Sequence, residues 1–448
     1  MKLRTIWAAL ALTALVAGCG APGDDGDDKA AEQSTPAPTV AAKPDISKAG
    51  DVTLTVWDQE VRGGQRRQIT ELNKQFEAKY PNVKIERVAK SFDDLLKTVK
   101  LAVSGADAPD VIQANQGLSV MAPLVEAKLL RPVTDYAEVY GWQDRWSPTL
   151  LQANSVEPDG SRFGSGELYG VSQMGEIVGV FYNKEKVPTP PTTLAEFEAS
   201  LEEAKGEGDV PIQFGNADAW PGIHNYETVL AQVADKQTIR DFVFSKEGAT
   251  FDNPEFTQGA QKLVEWVDKG YFNENFDGTG YDPAWQNFAK GEGRYLIAGT
   301  WVTADLEERM GDKVGFMLMP GEDPANPVAL GGESLAFAVT SAADKPDVAA
   351  AYLDFLTDAN AAQVLVDTGN LAAMKGAPTP AEGLNAEVAT AWQKLNEVDG
   401  VVPYLDWTTP TFYDDISAAI QELLAKKQSP EEFTAGVQEA YGKWAEKN

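Results

Sequence analysis

The chain has 448 residues, of which 43% are hydrophobic and 24% are charged, and its formal net charge of -30 disfavours nucleic acid and anionic lipid as partners. A single cysteine excludes an intrachain disulfide, and a single histidine, His224, argues against Ser-His-Asp, Cys-His and multi-histidine metal sites. The length predicts two domains rather than one core.

The first 18 residues have the features of a bacterial secretory signal. Two basic residues precede an apolar run over 6–17, and the small residue Gly18 closes this run before Cys19. Residues 15–19 resemble a lipobox, in which the cysteine becomes an acylated N-terminus. A free thiol is reactive in an exported protein, and acylation would explain why this single cysteine is present. The alternative is an ordinary signal peptide that contains an incidental cysteine.

Residues 19–50 are predicted to form a disordered tether that starts at the acylated cysteine. This stretch contains an acidic run at 24–28, and its only large apolar side chains are Val40 and Ile46. So few apolar groups do not offset the entropy lost on ordering. No later segment has the roughly 20 apolar residues of a spanning helix. We therefore expect an exported protein that a lipid anchors to the outer face of the cell membrane.

Strand and helix patterns alternate after residue 50. The predicted elements are a strand at 52–56, a helix at 69–80, a strand at 83–88, a helix at 91–104 and a strand at 109–114. This βαβαβ order predicts a mostly parallel sheet with helices on both faces.

Further elements follow in the second part of the chain. A block with strand character at 169–183 opens another α/β unit, residues 335–339 predict a buried strand, and an alanine-rich helix covers 348–356. Ser429 and Glu432 have the spacing of a capping box, which predicts a helix start near Pro430.

Several of the 11 tryptophans stand beside turn residues or at the end of a strand rather than within helical patterns. They are Trp57, Trp220, Trp301 and Trp407. Flat aromatic rings stack on the apolar face of a pyranose, while carboxylate and amide groups satisfy the hydroxyls at its edge. Burial in a core is the alternative for any single tryptophan. We expect core positions for Trp142, Trp146, Trp266 and Trp392.

Short sequence blocks with a characteristic order connect the chain to a known family. They lie at 108–112, 168–171, 181–184, 288–291, 298–301 and 331–334, followed by closing helices over 413–444. Behind a lipobox, this order resembles the extracellular solute-binding proteins of bacterial ATP-binding-cassette importers, in the carbohydrate-binding family that includes the maltodextrin-binding proteins. The resemblance covers residues 51–448.

The resemblance implies a two-lobed α/β fold of the periplasmic-binding-protein type. Mostly parallel sheets flanked by helices form each lobe, and a hinge joins the lobes. Lobe one is expected at 51–172 and 317–357, and lobe two at 173–316 and 358–448. Because ligands bind beyond the carboxyl ends of parallel strands, the strand ends should face the cleft.

The resemblance also implies a set of ligand-binding residues. On lobe one they are Trp57, Gln59, Glu60, Asn115 and Gln116. The others are Glu176, Trp220, Trp285, Trp301, Gly332, Glu333, Trp407, Phe412 and Tyr413. A structural role is equally open for Glu333, and a core role for Trp285. Structural roles are expected for Asp110, Tyr182, Asn183 and His224.

The expected function is that of a substrate-binding lipoprotein, which captures an oligosaccharide between two lobes and delivers it to the permease of an importer. Such a protein is a monomer, is not an enzyme and uses no cofactor or metal. One alternative is a secreted glycoside hydrolase, which needs two carboxyl groups facing one glycosidic bond. The other is a binding protein for a non-sugar solute such as a polyamine or a peptide. The absence of a basic cleft motif argues against anionic ligands.

Overall fold

The computed structural model of the protein describes residues 40–447, and all structural statements below concern this part of the chain. The predicted signal peptide, the acylation of Cys19 and the tether up to residue 39 lie outside the described residues. No helix found within 40–447 combines the length and the apolar character needed to cross a bilayer.

Strands and helices alternate along the described residues. The strands are β1 (Val52–Asp58), β2 (Val83–Ala89), β3 (Val111–Ala114), β4 (Ser155–Val156), β5 (Glu167–Leu168), β6 (Gly170–Val171), β7 (Gly175–Asn183), β8 (Ile212–Gln213), β9 (Tyr295–Gly299), β10 (Val314–Met317), β11 (Ala329–Glu333), β12 (Ala336–Val339) and β13 (Val401–Val402). The α-helices are α1 (Gly63–Lys79), α2 (Phe92–Val103), α3 (Met121–Glu126), α4 (Thr134–Tyr140), α5 (Pro148–Ala153), α6 (Leu194–Gly206), α7 (Trp220–Val233), α8 (Lys236–Val243), α9 (Pro254–Asp268), α10 (Tyr281–Ala289), α11 (Thr303–Met310), α12 (Pro346–Phe355), α13 (Ala359–Asp367), α14 (Leu384–Glu397), α15 (Phe412–Leu424) and α16 (Pro430–Ala445). Short 3-10 helices lie at Ile46–Lys48, Trp142–Asp144, Phe276–Gly278, Thr300–Val302, Gly311–Lys313 and Leu405–Trp407.

The first sheet has the strand order β2-β1-β3-β12-β6. Its first three strands are parallel, with β1 between β2 and β3, which confirms the predicted βαβαβ unit. Leu54 and Val56 on β1 are buried while Thr53 is exposed, as expected for a strand with one face on a core. The predicted strand before residue 340 is β12, but it runs antiparallel to both of its neighbours.

The second sheet has the order β13-β11-β7-β9-β8, and β10 also pairs with β7. The long central strand β7 is buried over all nine residues and runs antiparallel to β9, β10 and β11. The expectation of mostly parallel sheets is therefore wrong, because both sheets are mixed. The physical reason is the route of the chain: β7 and β12 begin at the edge where their neighbours end, since the chain enters each of them from the other sheet.

Two clusters of buried apolar side chains stabilise the lobes. The smaller one packs α1 and α12 on the first sheet, where the Phe76 ring lies 5.3 Å from that of Tyr352 and 5.4 Å from that of Phe355. The larger one covers the other face of that sheet and the second sheet. The core positions predicted for Trp142, Trp146 and Trp266 are confirmed, since all three are fully buried, whereas Trp392 is only half-buried.

The last helix begins as the sequence predicts. The Ser429 hydroxyl accepts a hydrogen bond from the Glu432 amide (3.1 Å), and the Glu432 carboxylate accepts one from the Ser429 amide (2.8 Å). This capping box satisfies two amides that the first turn of α16 leaves without helical partners.

Residues 40–50 belong to the folded body, which corrects the predicted tether over this stretch. Ile46 is only 3% exposed within the smaller cluster, and the Asn82 side-chain amide donates to the Ile46 carbonyl (3.0 Å) and the Gly50 carbonyl (2.9 Å). One well-placed apolar side chain with backbone hydrogen bonds thus orders a segment of low hydrophobicity. The lobe boundaries remain a prediction; β11, within the range expected for lobe one, pairs in the second sheet.

Candidate ligand-binding cleft

A cleft lies where strands of both sheets end, and the empty space in it, counted together with the open solvent at its mouth, is about 680 Å³. The first-sheet side consists of Gln59, Arg62, Phe92, Asn115 and Leu335. The second-sheet side consists of Glu176, Trp220, Ile223, His224, Trp301, Glu333, Tyr404, Asp406, Trp407 and Tyr413.

The positions of these residues follow from the strand topology. Gln59 comes directly after β1, Asn115 directly after β3 and Trp301 two residues after β9, while Glu333 is the last residue of β11. Glu176 is the second residue of β7, the strand that starts at this edge. The sheets therefore deliver their polar and aromatic side chains to one region, as expected for strand ends in α/β proteins.

Six rings form a continuous aromatic wall, defined as Phe92, Trp220, His224, Trp301, Tyr404 and Trp407. The Trp220 ring lies 6.2 Å from both Phe92 and Trp301, and His224 lies 5.6 Å from Trp301 and 5.3 Å from Tyr404. Tyr404 continues the wall to Trp407 at 5.5 Å. Neighbouring rings hold one another in tilted and edge-on geometries that favour contact between their quadrupoles.

Trp301 takes its place because residue 299 is a glycine. A β-carbon on Gly299 would lie 2.0 Å from the Trp301 ring, so any side chain there would displace the indole. The Trp301 indole nitrogen donates to the Tyr281 hydroxyl at 2.6 Å, which fixes the ring edge. The ring itself is only half-buried, and part of it faces the cleft.

Trp407 is held by a loop of the first sheet. Gly117 has φ +75°, and a β-carbon there would lie 2.4 Å from the Trp407 β-carbon. The Leu118 amide donates to the Trp407 carbonyl at 2.8 Å. Glycine is required at 117 by both the backbone conformation and the close approach. This contact joins elements of the two sheets at the base of the cleft.

Two buried carboxyl groups of the second-sheet side have raised pKa values. Burial raises the pKa of Glu176 to about 8, the nearby charge of Glu60 adds to this rise, and the Arg62 guanidinium opposes it. Burial also raises the pKa of Glu333. Glu333 accepts a hydrogen bond from the Asn154 amide at 2.6 Å, and its other oxygen has no hydrogen-bond partner within residues 40–447.

Asp406 joins the two sides of the cleft. Its carboxyl group accepts a hydrogen bond from the Asn115 side-chain amide at 3.1 Å. Burial raises the pKa of Asp406 to about 7, although this hydrogen bond opposes the rise. Asn115 belongs to the first-sheet side, so this hydrogen bond connects the two sides of the cleft.

Eight residues predicted from the sequence lie in the cleft. They are Gln59, Asn115, Glu176, Trp220, Trp301, Glu333, Trp407 and Tyr413. Gly332 adjoins it, since a β-carbon there would meet only the Trp407 ring, at 3.9 Å. Their contacts with a ligand remain a prediction.

Five other predicted residues do not line the cleft, and three of them are on the first sheet. The Trp57 ring is half-buried and stacks beneath the Lys90 ammonium at 4.4 Å. Glu60 is fully buried and accepts a hydrogen bond from the Gln113 amide at 2.7 Å. The Gln116 amide donates to the Ser334 carbonyl at 2.8 Å, so this side chain ties together segments that cross between the sheets.

The other two lie on helices α15 and α10. Phe412 is fully buried, with its ring 5.4 Å from Phe242, and is a core residue. The Trp285 indole donates to the Asp282 carboxylate at 2.9 Å and lies under the Arg309 guanidinium at 4.9 Å, outside the cleft. Trp285 therefore follows the core alternative, being only 3% exposed.

Six residues that line the cleft were not predicted from the sequence, and a seventh, His224, lines it as well. The missed residues are Arg62, Phe92, Ile223, Leu335, Tyr404 and Asp406. Arg62 and Phe92 follow β1 and β2 within a few residues, so the strand-end rule could have found them. His224, expected to be structural, is part of the aromatic wall, and burial lowers its pKa to about 3, which keeps the imidazole neutral. Asp110 does have a structural contact, because its carboxylate accepts the Thr55 amide at 2.8 Å.

Two α/β lobes with an aromatic cleft at their facing strand ends define a two-lobed binding protein. A family model described as bacterial extracellular solute-binding protein matches residues 63–363, and the chain belongs to this family.

Two relatives from Pyrococcus horikoshii are named as uncharacterized ABC transporter extracellular-binding proteins. PH1214 is 23% identical over 261 residues, which cover 55% of this chain and 55% of the relative. PH1039 is 24% identical over 254 residues, which cover 56% of this chain and 57% of the relative. The chain thus spans little more than half the length of these relatives.

Solved structures share the fold over most of the chain. A structure from work on xylan utilization by Caldanaerobius polysaccharolyticus has a TM-score of 0.76 and 24% identity, covering 87% of this chain and 100% of that one. A chitin oligosaccharide binding protein has a TM-score of 0.76 and 22% identity, covering 88% and 99%. RafE in complex with raffinose has a TM-score of 0.70 and 18% identity, covering 88% and 100%.

Proposed function

We propose that this protein is the sugar receptor of an ATP-binding-cassette importer, which captures an oligosaccharide in the cleft and delivers it to the permease. The observation that carries the proposal is the aromatic wall with carboxyl and amide groups beside it. The half-buried Trp301 ring offers a flat apolar face to a pyranose, as does the small exposed part of Trp407, which is 2% exposed. Gln59, Asn115 and Asp406 offer hydrogen bonds to its hydroxyls. The names of similar structures, which mention xylan, chitin oligosaccharide and raffinose, support the same ligand class.

The cleft suits a receptor because both sides contribute to it. A ligand that contacts Trp301 on one side and Asn115 on the other binds best when the sides are close together. Binding therefore selects the closed form, and this form is the signal that a permease can recognise. Contacts with the permease serve the delivery step, and sugar capture in the cleft does not require them.

The carboxyl groups of the cleft favour a receptor that binds sugar over a glycoside hydrolase that cleaves it. A glycosidase needs one protonated acid and one ionised carboxylate on either side of the bond. Glu176, Glu333 and Asp406 all have pKa values that burial raises, so none is specialised as the ionised partner. Oligosaccharides incubated with the protein should keep their length, as measured by chromatography, and shortened products would support the hydrolase.

The lipid anchor and the monomeric state belong to the same proposal. Acylation at Cys19 would hold the receptor at the outer face of the membrane beside the permease. A Cys19→Ala variant should lose the acyl mass at the N-terminus and be released into the medium, as measured by mass spectrometry and fractionation. A variant that stays with the membrane would contradict the anchor.

Calorimetric titration tests the proposed ligand class. The purified protein should bind at least one neutral or substituted mono-, di- or trisaccharide from a broad panel. A folded sample that binds no sugar at any concentration tested would contradict the proposed function. Circular dichroism on the same sample provides the folding control.

A further inference from the structure

The cleft contains more acidic groups than cations. Glu176, Glu333 and Asp406 line it, and no ion pair within residues 40–447 joins any of them to a lysine, arginine or histidine. Arg62 is the one arginine or lysine that the described part of the chain places in the lining of the cleft, and it is already paired with Asp282 at 3.1 Å. His224 is neutral because burial lowers its pKa.

The cleft carboxyl groups also have unused hydrogen-bonding capacity. Glu333 is 2% exposed, and its Oε1 atom has no partner although Oε2 is bound by Asn154. Asp406 accepts one side-chain hydrogen bond, from Asn115. An unpartnered buried acceptor is costly unless a ligand satisfies it. Glu333 thus has one buried oxygen available for a hydrogen bond with the ligand.

A second layer of acids lies behind the first. Glu60 and Glu227 are buried, and each has an Oε2 atom without a partner in the described residues. The charge of Glu60 acts on Glu176, and that of Asp406 acts on Glu227. Five acidic groups therefore lie in or behind the cleft, and a positively charged guest stabilises their ionised forms.

A metal ion does not fit this arrangement. Within residues 40–447, no three His, Cys, Asp or Glu side chains come together as a metal site. The carboxyl groups are spread along an aromatic wall, and aromatic faces such as those of Trp220 and Trp301 attract organic ammonium groups. The arrangement suits a guest that is larger than an ion and partly apolar.

We infer that the ligand is a sugar that carries a protonated amine, which Glu333 and the neighbouring carboxyl groups bind while the ring stacks on the aromatic wall. This inference rests on the proposed function, because it specifies the chemistry of the captured sugar. A linear polyamine would bind the acids and the ring faces through its ammonium groups, but it has no sugar ring to stack on the aromatic wall.

The test compares sugars that differ at one substituent. Matched sets carry an amine, an N-acetyl group or a hydroxyl at the same carbon, in the gluco, galacto and manno configurations, with β-1,4-linked gluco trimers added. Spermidine is included as a ring-free amine. Calorimetry on the purified protein should give at least tenfold tighter binding for an amine-bearing sugar than for its two counterparts and for spermidine.

Variants locate the amine contact. Glu333→Gln should remove most of the preference for the amine and retain binding of the hydroxyl counterpart, while Glu292→Gln, at an exposed position outside the cleft, should change neither. Circular dichroism shows whether each variant is folded. If Glu333→Gln does not fold, Asp406→Asn provides the same comparison.

Proton release gives an independent readout. Burial raises the pKa values of Glu176 and Asp406 to about 8 and about 7, so near neutral pH these groups hold protons in the cleft that also contains Arg62, Tyr404 and neutral His224. An ammonium group favours the ionised carboxylates and displaces protons, whereas a neutral sugar does not. The binding heat of the amine-bearing sugar should therefore depend on the ionisation heat of the buffer.

The outcomes separate the inference from the proposed function. Equal or tighter binding of the N-acetyl or hydroxyl sugars would overturn the amine inference and leave sugar capture intact. Binding of spermidine without binding of any sugar would overturn both. If neither a sugar nor spermidine binds, the amine inference and the proposed function are both overturned.

Discussion

The two sides of the cleft differ in the aromatic rings and polar groups that they present to a ligand. The second-sheet side supplies five of the six rings of the aromatic wall and all three cleft carboxyl groups, whereas the first-sheet side supplies one ring, Phe92, with two amides and Arg62. A large stacking surface binds a sugar face even when the lobes are apart, while single polar contacts add to it on closure. We therefore expect capture to begin on the second-sheet side and the first-sheet side to complete it.

The largest expected effect is on the pH dependence of stability. It should be larger for the buried acid Glu176 on the second-sheet side than for Glu60 behind the first-sheet side. The pKa of Glu176 is raised to about 8 on the second-sheet side, and that of Glu60 to about 7 behind the first-sheet side, mainly by burial in both cases. Because both folded-state values exceed the ordinary 4.5, the free energy of unfolding should fall as pH rises from about 4.5 through 7 to 8. At about 1.4 kcal/mol per pKa unit, the fall is at most about 5 kcal/mol for Glu176 and about 3 kcal/mol for Glu60.

Urea unfolding at pH 5, 7 and 9 measures this effect. Glu176→Gln and Glu60→Gln should each reduce the fall in the free energy of unfolding above pH 5. The reduction should be larger in the Glu176 variant and should extend to pH 8. Glu292→Gln, whose side chain is exposed, should follow the unmodified protein. If the free energy of unfolding changes equally with pH in the unmodified protein and the three variants, neither Glu176 nor Glu60 is protonated in the folded state.

The next effect tests the stacking surface directly. Trp301→Ala should weaken binding of the tightest sugar by about 1–3 kcal/mol, because a desolvated stacking ring is lost from the second-sheet side. Its melting temperature should change little, since the ring is only half-buried. Trp392→Ala is the matched control, because this half-buried tryptophan lies in a different groove. A large loss of stability with affinity intact would assign Trp301 to the core.

A backbone substitution tests the same ring without removing it. Gly299→Ala places a β-carbon where the Trp301 ring now lies, so the indole must move. We expect affinity to fall about tenfold, close to 1.4 kcal/mol, by calorimetry. Gly436→Ala, on a helix with open space around the added carbon, should leave affinity unchanged. Unchanged binding in Gly299→Ala would show that the position of this ring is not needed.

The smallest effect is expected on the first-sheet side. Phe92→Ala removes the ring 6.2 Å from Trp220 and should weaken binding by about 0.5–1 kcal/mol, chiefly through faster dissociation from the closed form. Stopped-flow fluorescence measures the two rate constants. A loss larger than that of Trp301→Ala would reverse the assignment of the two sides.

Local periodicity predicted the first sheet well because β1, β2 and β3 form a continuous βαβαβ unit. It did not predict that β7 and β12 run antiparallel to their neighbours, since strand direction depends on where the chain crosses between the sheets. Ile46 shows a similar limit, because its side chain is buried in a cluster of residues distant in sequence, and its carbonyl accepts a hydrogen bond from Asn82.

The candidate site was predictable where a residue follows a strand directly. Gln59 and Asn115 satisfy this rule, and both line the cleft. Tyr404 and Asp406 reach the cleft from a 3-10 segment far along the chain, which no local pattern indicates. Phe412 and Tyr413 are adjacent, yet only Tyr413 lines the cleft, because consecutive residues at the start of α15 point to different faces.

The most direct test of the central claim is a crystal structure of the protein with the sugar that titrates most tightly. The account predicts a sugar ring stacked on Trp301 or Trp407, with its hydroxyls within hydrogen-bond distance of Asn115 or Gln59. A sugar bound elsewhere on the surface, with the aromatic wall covered by protein, would contradict it.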